Sequence, residues 1–319
     1  MAGGTREIKR RIKSIANTKK ITKAMEMVAA SKMKKAVSSV MATRDYANLA
    51  WATVLHLSET TDSEKHILLQ KPLKTEKVGL VLIGSNRGLC GGFNIQLVQK
   101  AIESIKKHQG RVEKTEVIAF GSKTRDLISS MGYEVAADFE KPDLTLRSDE
   151  VAAISSMMIK QFKNKEYDKV FVAYTDYEST IKQVPRVKQL LPIEPDPDEH
   201  LGLVGKSQKT GVGADVKFIK EKQEKYLKKD KFTYEYTFEP SAEIVLEKML
   251  PRLIEVQIYQ AALESEASEH SARMMAMKNA SESAKEMNEE LQYSYNQIRQ
   301  MNITQEISEI TSGKITLDE

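Results

Sequence analysis

"VGLVLIGSNRGLCGGFN" (residues 78–94) runs from a short apolar stretch into a loop that holds Gly84, Gly88, Gly91 and Gly92. A run of this length, rich in Val, Leu and Ile and closed by glycines, reads as a buried strand followed by a turn and a helix. Many proteins hold a nucleotide phosphate on such a joint, so glycine spacing is the test. A dinucleotide fingerprint needs G-x-G-x-x-G, to bring two backbone stretches against the pyrophosphate. The spacing here does not fit. A P-loop needs Gly-Lys and a hydroxyl residue five places after its first glycine, and Leu89 stands there instead. An anion seat at the helix N-terminus beside Arg87 stays open. The better reading is that these glycines supply left-handed or closely packed backbone at a sharp turn.

Downstream, strand and helix signals alternate. Segments 115–120, 133–138 and 169–174 read as further short strands, with helical patterns at 93–108, 122–131 and 147–163 between them. That alternation predicts an α/β layered domain with a largely parallel, Rossmann-like sheet. Ile181–Val184 and Val187–Leu191, interrupted by Pro185, read as a hairpin, and Phe232–Phe238 as an edge strand. Residues 192–231 carry three prolines, four glycines and few apolar anchors, and read as an exposed insertion.

Both ends of the chain differ from this middle. No proline precedes Pro72, and no glycine lies between Gly4 and Gly79. Ile8, Ile12, Ile15, Thr22, Met25, Ala29, Ala36 and Val40 recur at helical spacings as one stripe. Thr5 is placed to cap a helix from residue 6 to about 57, roughly 75–80 Å long at 1.5 Å per residue. At the other end Ala280, Ala284, Met287, Leu291, Ser294, Ile298 and Met301 alternate by four and three. Gly313 sits where a C-cap would close that rod, about 90 Å in length. Ordinary helices average about 11–12 residues. Each rod has a single apolar stripe and needs a partner, and the simplest is the other rod, antiparallel. The expected organisation is an N-terminal coiled-coil helix (1–58), a central α/β domain (77–239) and a C-terminal coiled-coil helix (240–313).

Charge is unevenly distributed. The chain of 319 residues carries a net +4, yet residues 1–44 hold twelve Lys or Arg against Glu7 and Glu26. Such a segment draws nucleic acid, anionic lipid or an acidic protein surface, and charge alone does not choose among them. The lone Cys90 offers neither an internal disulfide nor a zinc cluster. No apolar run reaches the roughly 18–20 residues that cross a bilayer. His56, His66, His108, His200 and His270 share no metal-ligand spacing and read as surface or rod residues. Gly84-Ser85-Asn86-Arg87-Gly88 is not a nucleophile elbow. The carboxylates of the C-terminal rod read as a helix surface with no enclosed pair. No catalytic residue, cofactor or metal is assigned, and the chain reads as non-catalytic.

"IKRRIKSIANTKKITKAMEMVAASKMKKA" (8–36), "GSNRGLCGGFN" (84–94), "ALESEASEHSARMMAMKNASESAKE" (262–286) and "IRQMNITQEISEITSG" (298–313) together resemble the gamma subunit of F-type ATP synthases. The resemblance covers both rods and the central domain and leaves the insertion outside. It departs from the family pattern at Gln297 and Ile298, before the Arg-Gln pair, and at Lys314 after Gly313. It implies a rotor shaft: an antiparallel coiled coil inside a hexamer of three alpha and three beta subunits, and a foot bound to the epsilon subunit and the c-subunit ring. Nucleotides would bind the stator and not this chain, and membrane association would come only through the complex. By residue-by-residue match, Lys9, Lys20, Lys23 and Met25 are expected at the beta-subunit levers and Arg299 and Gln300 at the catch loops. Arg87 is a further expected foot–stator contact. The family motif starts by Ile8, so a bacterial chain on the cytoplasmic face of the plasma membrane is expected. Photosynthetic members carry a regulatory insertion in a similar region. The one here has no cysteine, which excludes a thiol switch and leaves a mechanical brake on reverse rotation. Two rival readings stay open: a nucleotide-binding α/β enzyme with helical arms, and a basic coiled coil that binds nucleic acid.

Overall fold

The computed structural model describes residues 2–60, 66–72, 74–108, 114–142, 146–193, 239 and 241–315. The element order is α1 (Ala2–Thr60), β1 (Lys77–Ile83), α2 (Phe93–His108), β2 (Lys114–Phe120), α3 (Ser122–Ser130), β3 (Val135–Phe139), α4 (Ser148–Lys163), β4 (Lys169–Tyr177), β5 (Gln183–Leu191) and α5 (Ala242–Ile315). The expected edge strand at 232–238 and nearly all of the insertion lie outside the described residues. The chain divides into two compact units, one of residues 30–272 and one joining 1–29 with 273–319.

The unit of residues 30–272 is built on one five-stranded sheet in the order β3-β2-β1-β4-β5. β1 runs parallel to β2 and β4, β2 runs parallel to β3, and β4 is antiparallel to β5. The parallel part has the 3-2-1-4 order of a doubly wound fold, as the alternating signals predict. β1 is buried on both faces, which is why its sequence is an apolar run and not an alternation. Its pleat still divides it. Leu80 and Leu82 pack with Leu97, Val98, Ala101 and Ile128 from α2 and α3. Val81 and Ile83 pack with Ile154 and Met158 of α4, Leu250, Ile254 and Ile258 of α5, and Ala36 and Val40 of α1.

β5 corrects the hairpin expectation. Ile181–Val184 and Val187–Leu191 are not two strands: residues 183–191 form one strand antiparallel to β4, and the turn precedes it, with Ser179 N donating to Lys182 O at 3.0 Å. Pro185 is tolerated inside it because, among the described residues, β5 is the edge of the sheet, where a missing N–H breaks no ladder. Pro251 likewise lies within α5, which begins before it at Ala242.

In the other unit the two chain segments run antiparallel, with Asn302 Nδ2 donating to Thr5 Oγ1 at 3.2 Å. Thr5 is therefore not an N-cap. α1 starts at Ala2, and the hydroxyl serves the facing helix. On α1 the stripe reads as expected, with Ile8, Ile12, Ile15, Thr22, Met25 and Ala29 on the covered side. On α5 the covered line is Met277, Ser281, Ala284, Asn288, Leu291, Tyr295, Ile298 and Asn302, again alternating by four and three. Met287 and Met301, expected in that seam, are exposed, and an asparagine one position later takes each place. Gly313 does not close the helix either, since α5 continues to Ile315. A helical glycine costs only about 1 kcal/mol relative to alanine, and a continuing helix absorbs that.

His66 lies partly buried, with its Nδ1 accepting the N–H of the fully buried Leu68 at 3.2 Å. Burial lowers its pKa below 6.5, the Lys163 charge adds to this, and Glu247 opposes it. The folded form therefore binds fewer protons than the unfolded chain just below pH 6.5, so stability is full above that pH and falls as the pH drops. In urea unfolding between about pH 7 and 5, the wild type should lose stability on acidification, and His66→Gln should lose less.

Candidate functional site

The glycine loop is a joint that ties three strand ends together. Gly84 N donates to Phe120 O at 2.9 Å, and a Cβ on Gly84 would lie 1.6 Å from Thr124 Oγ1. The Ser85 N–H points to Thr124 Oγ1 (3.0 Å) and Asn94 Oδ1 (3.3 Å), and Asn94 Nδ2 donates to Ser85 Oγ at 2.8 Å. Asn86 bridges onward: its Oδ1 accepts from Ser122 N and Lys141 N, each at 3.3 Å, and its amide donates to Lys141 O. Leu89 and Gly91 take left-handed backbone at φ 61° and 58°. The leucine is solvent-exposed, whereas Cys90 is buried. Side chains from α2 and α3 thus occupy the Ser85 N–H that a phosphate at this turn would need.

A second feature was not anticipated. Residues 257–271 of α5 are almost entirely buried although they include Gln257, Gln260, Glu264, Ser265, Ser268, Glu269, His270 and Ser271. The β1–β4 ladder closes at Leu82↔Ala173. Just beyond it, Ser265 Oγ donates to Ile83 O at 2.8 Å and Ser268 Oγ to Thr175 O at 3.1 Å. Ser271 Oγ donates to Thr180 O at 2.7 Å, in the β4–β5 turn. Glu269 meets Lys141 at 3.0 Å, with both side chains less than a tenth exposed. Thr43 of α1 donates to Gln260 Oε1 at 2.6 Å. The expectation of a solvated carboxylate surface is therefore corrected here, because this stretch of the rod is enclosed by the sheet domain. His270 is likewise no surface residue: it is buried, with Nε2 3.8 Å from Glu266. The sequence signal was present as "ALESEASEHSARMM", an interval of small and polar residues with no solvent-face pattern of its own.

Nearby, Arg186 joins Asp176 (2.7 Å) and Glu178 (3.2 Å) across the β4–β5 pair. Burial pushes the phenol of Tyr174 well up, and the charges of Asp176 and Glu264 add to this. Among the described residues no group of three or more His, Cys, Asp or Glu is placed to hold a metal ion. No helix among them is long and apolar enough to cross a membrane.

The residues expected to meet a partner lie mainly on outward faces. Lys9, Lys20 and Lys23 are exposed, and Met25 is partly covered. Lys9 and Lys20 are eleven positions apart, about 20° around a helix, so they share a face. Lys23 ion-pairs with Glu26 at 3.0 Å. Arg299 and Gln300 are exposed near the end of α5, and Arg87 is exposed on the glycine loop. Arg87 belongs to the other unit and is not grouped with these. Ile303, Ile307 and Ile310, at helical spacing after Gln300, are also largely exposed. That apolar face was not singled out from the sequence.

Fold and surfaces together define a protein in which two very long helices, antiparallel in the unit of residues 1–29 and 273–319, bracket an α/β sheet domain in the sequence. A family profile described as ATP synthase matches residues 4–317. The chain is 38% identical over 318 residues to the ATP synthase gamma chain of Roseiflexus sp., covering 99% of each chain. It is 37% identical over 310 residues to that of Cupriavidus necator, covering 97% of this chain and 98% of the relative. It belongs to the ATP synthase gamma-chain family. Among solved structures it is similar to a chain in the central stalk and c-ring of Tetrahymena thermophila mitochondrial ATP synthase, with 25% identity, a TM-score of 0.56, and 82% and 99% of the two chains covered. A chain in an OSCP/F1/c-ring structure of the Euglena gracilis mitochondrial enzyme shares the fold, with 16% identity, a TM-score of 0.61, and 99% and 95% covered.

The joint makes a direct prediction. Gly84→Ala places a methyl group against Thr124 and dislodges the hydroxyl that accepts the Ser85 N–H. Overpacking of this kind costs about 1–3 kcal/mol, and loss of the shorter of the two bonds from the Ser85 N–H, which then keeps only Asn94 Oδ1, adds to it. Denaturant unfolding should show a loss of at least about 2 kcal/mol for Gly84→Ala, and much less for Gly88→Ala, where the added Cβ meets nothing within 4 Å.

Proposed function

We propose that this chain is the central stalk of an F-type ATP synthase, the rotating element that links ion flow through a membrane ring to the catalytic sites of a surrounding hexamer. The observation that carries the reading is 36–39% identity to ATP synthase gamma chains over nearly the whole chain. The nucleotide-enzyme reading loses its main support with the glycine loop wired internally. The nucleic-acid reading rests only on the basic charge, which an acidic protein partner explains equally well.

In this reading the chain itself performs no chemistry. It biases the open and closed states of each catalytic site through whichever face it presents, and a third of a turn moves that bias to the next site. A rotor face shifts such an equilibrium only by contacting the two states differently. The paired long helices would lie inside an alpha/beta hexamer, and the sheet domain would meet the epsilon subunit and the c-ring. The chain would be peripheral, held through the complex at the cytoplasmic face of a bacterial plasma membrane. Lys9, Lys20 and Lys23 would push acidic levers of the beta subunits by charge, which acts at a distance and tolerates changing orientation, with Met25 beside them. Arg299 and Gln300 would form a make-and-break latch with the catch loops, and Arg87 would touch the stator from the foot. The exposed Ile303, Ile307 and Ile310 support enclosure of this end by a partner, since such apolar faces mark interaction surfaces.

Mixing the chain with alpha and beta subunits tests the reading. Assembly and rotary ATPase activity are expected, and failure of both defeats it. Within the assembled complex, Arg299→Ala with Gln300→Ala should lower ATPase turnover about three- to tenfold, as loss of one or two charge-assisted hydrogen bonds would, while the subunits still co-purify. Lys9→Gln with Lys20→Gln should reduce turnover at low salt and approach the wild type as salt rises.

A further inference from the structure

Helix α5 meets the sheet through apolar residues such as Leu253, Ile254 and Ile258, and apolar packing is non-directional. Such contacts hold a helix against a sheet, and they set its roll by shape alone, less sharply than directional bonds would. The polar groups of residues 260–271 are directional. At about 100° per residue, Ser268 and Glu269 lie about 60° and 40° on either side of Ser265, and Ser271 about 120° away. Their partners belong to different parts of the sheet domain: Ile83 at the end of β1, Thr175 in β4, Thr180 in the following turn and Lys141 after β3. All five of these contacts, with Thr43–Gln260 included, lie within the one compact unit.

We infer that these contacts form a torsional latch, which fixes the rotational setting of α5 against the sheet so that torque reaching the sheet enters the helix without roll. The inference rests on the reading of the chain as a rotating stalk. Ser265, Ser268 and Ser271 are positioning residues, and Lys141–Glu269 clamps the side of the helix facing away from Ser271. Torsional stiffness is the property they set, and fold stability alone would not report it.

The test uses the assembled complex, stalled without turnover, with a rotation probe fixed to the sheet domain. The triple variant S265A/S268A/S271A keeps side-chain volume nearly unchanged and removes three hydroxyls. Its angular variance should exceed that of the wild type by at least twofold, with unloaded ATPase activity within twofold. Should the triple variant fail to assemble, S268A alone should raise the variance, and S268T, which keeps the hydroxyl, should return it toward the wild-type value. I258V is the control: it trims a buried residue of the same helix without touching a latch, and the variance should stay at the wild-type value. Unchanged variance in the serine variants, or an equal rise in I258V, overturns the latch. A wild-type chain that does not assemble or rotate overturns the stalk reading instead.

Discussion

Backbone carbonyls beyond the end of a β ladder still need donors, because a buried peptide group left without one costs a large part of a hydrogen bond. In this protein α5 provides them for Ile83 and Thr175, and much of the architecture follows from that demand. A serine hydroxyl is short, so the helix has to approach the sheet closely, and its neighbours Ala261, Ala262 and Ala267 leave room for it to do so. Close approach buries the whole turn, Glu269 with it. An isolated buried carboxylate would be untenable, and Lys141 answers it at 3.0 Å. Lys141 is itself held by Asn86 of the glycine loop through its N–H and carbonyl. One requirement at the end of β1 thus propagates to α5, to the segment after β3 and back to the loop that follows β1.

This bears on what the sheet can be used for. In doubly wound folds a ligand characteristically lies beyond the carboxyl ends of the strands, where the strand order reverses. Here the corresponding ends of β1 and β4 are met by Ser265 and Ser268 on one side and by the Ser85–Asn94–Thr124 cluster on the other. The chain uses its own side chains where relatives of the fold in general place a ligand's. A domain of nucleotide-binding type becomes a seat for a helix.

The helices and the four parallel strands were legible in the sequence because each depends on local period and composition. β1 is an apolar run, and α1 shows its stripe at Ile8, Ile12, Ile15 and Thr22. The misreadings came where the surrounding structure, whether a tertiary contact or the helix continuing past a weak residue, overrode a local rule. Thr5 has the chemistry of a cap but serves Asn302, Gly313 lies inside a continuing helix, and Pro185 sits on a strand that is the sheet edge among the described residues, which no local pattern reveals. Met287 and Met301 fit a seam alternating by four and three, but the register of the covered line gives those places to Asn288 and Asn302. The candidate contact residues owe their selection to motif matching, and their exposure is compatible with it. The serine run was hidden for a different reason: Ser265 and Ile83 are 182 positions apart, and nothing in either segment announces the other.

The two units hold the same pair of helices by different chemistry. In the unit of residues 30–272, α5 is fixed by hydrogen bonds and an ion pair to several elements. In the other unit the seam is lined by Ala29, Ser281 and Ala284 as well as by larger residues. Thr22, though buried, turns its hydroxyl back to Thr18 O and Lys19 O of its own helix, each at 3.1 Å. A polar group satisfied within its own helix asks for nothing across the seam, so at Thr22 small adjustments of one helix against the other break no bond. Nearer the chain ends, Asn302–Thr5 does cross between the helices. Isoleucines at the seam supply attraction without direction, and small residues permit close approach. A shaft has opposing requirements at its two regions: a definite angular setting where torque enters, and tolerance where it turns against changing neighbours. Several directional contacts in the sheet domain, against a helical pair in which Thr22 is satisfied within its own helix and Asn302–Thr5 crosses, fit those requirements with the same two helices.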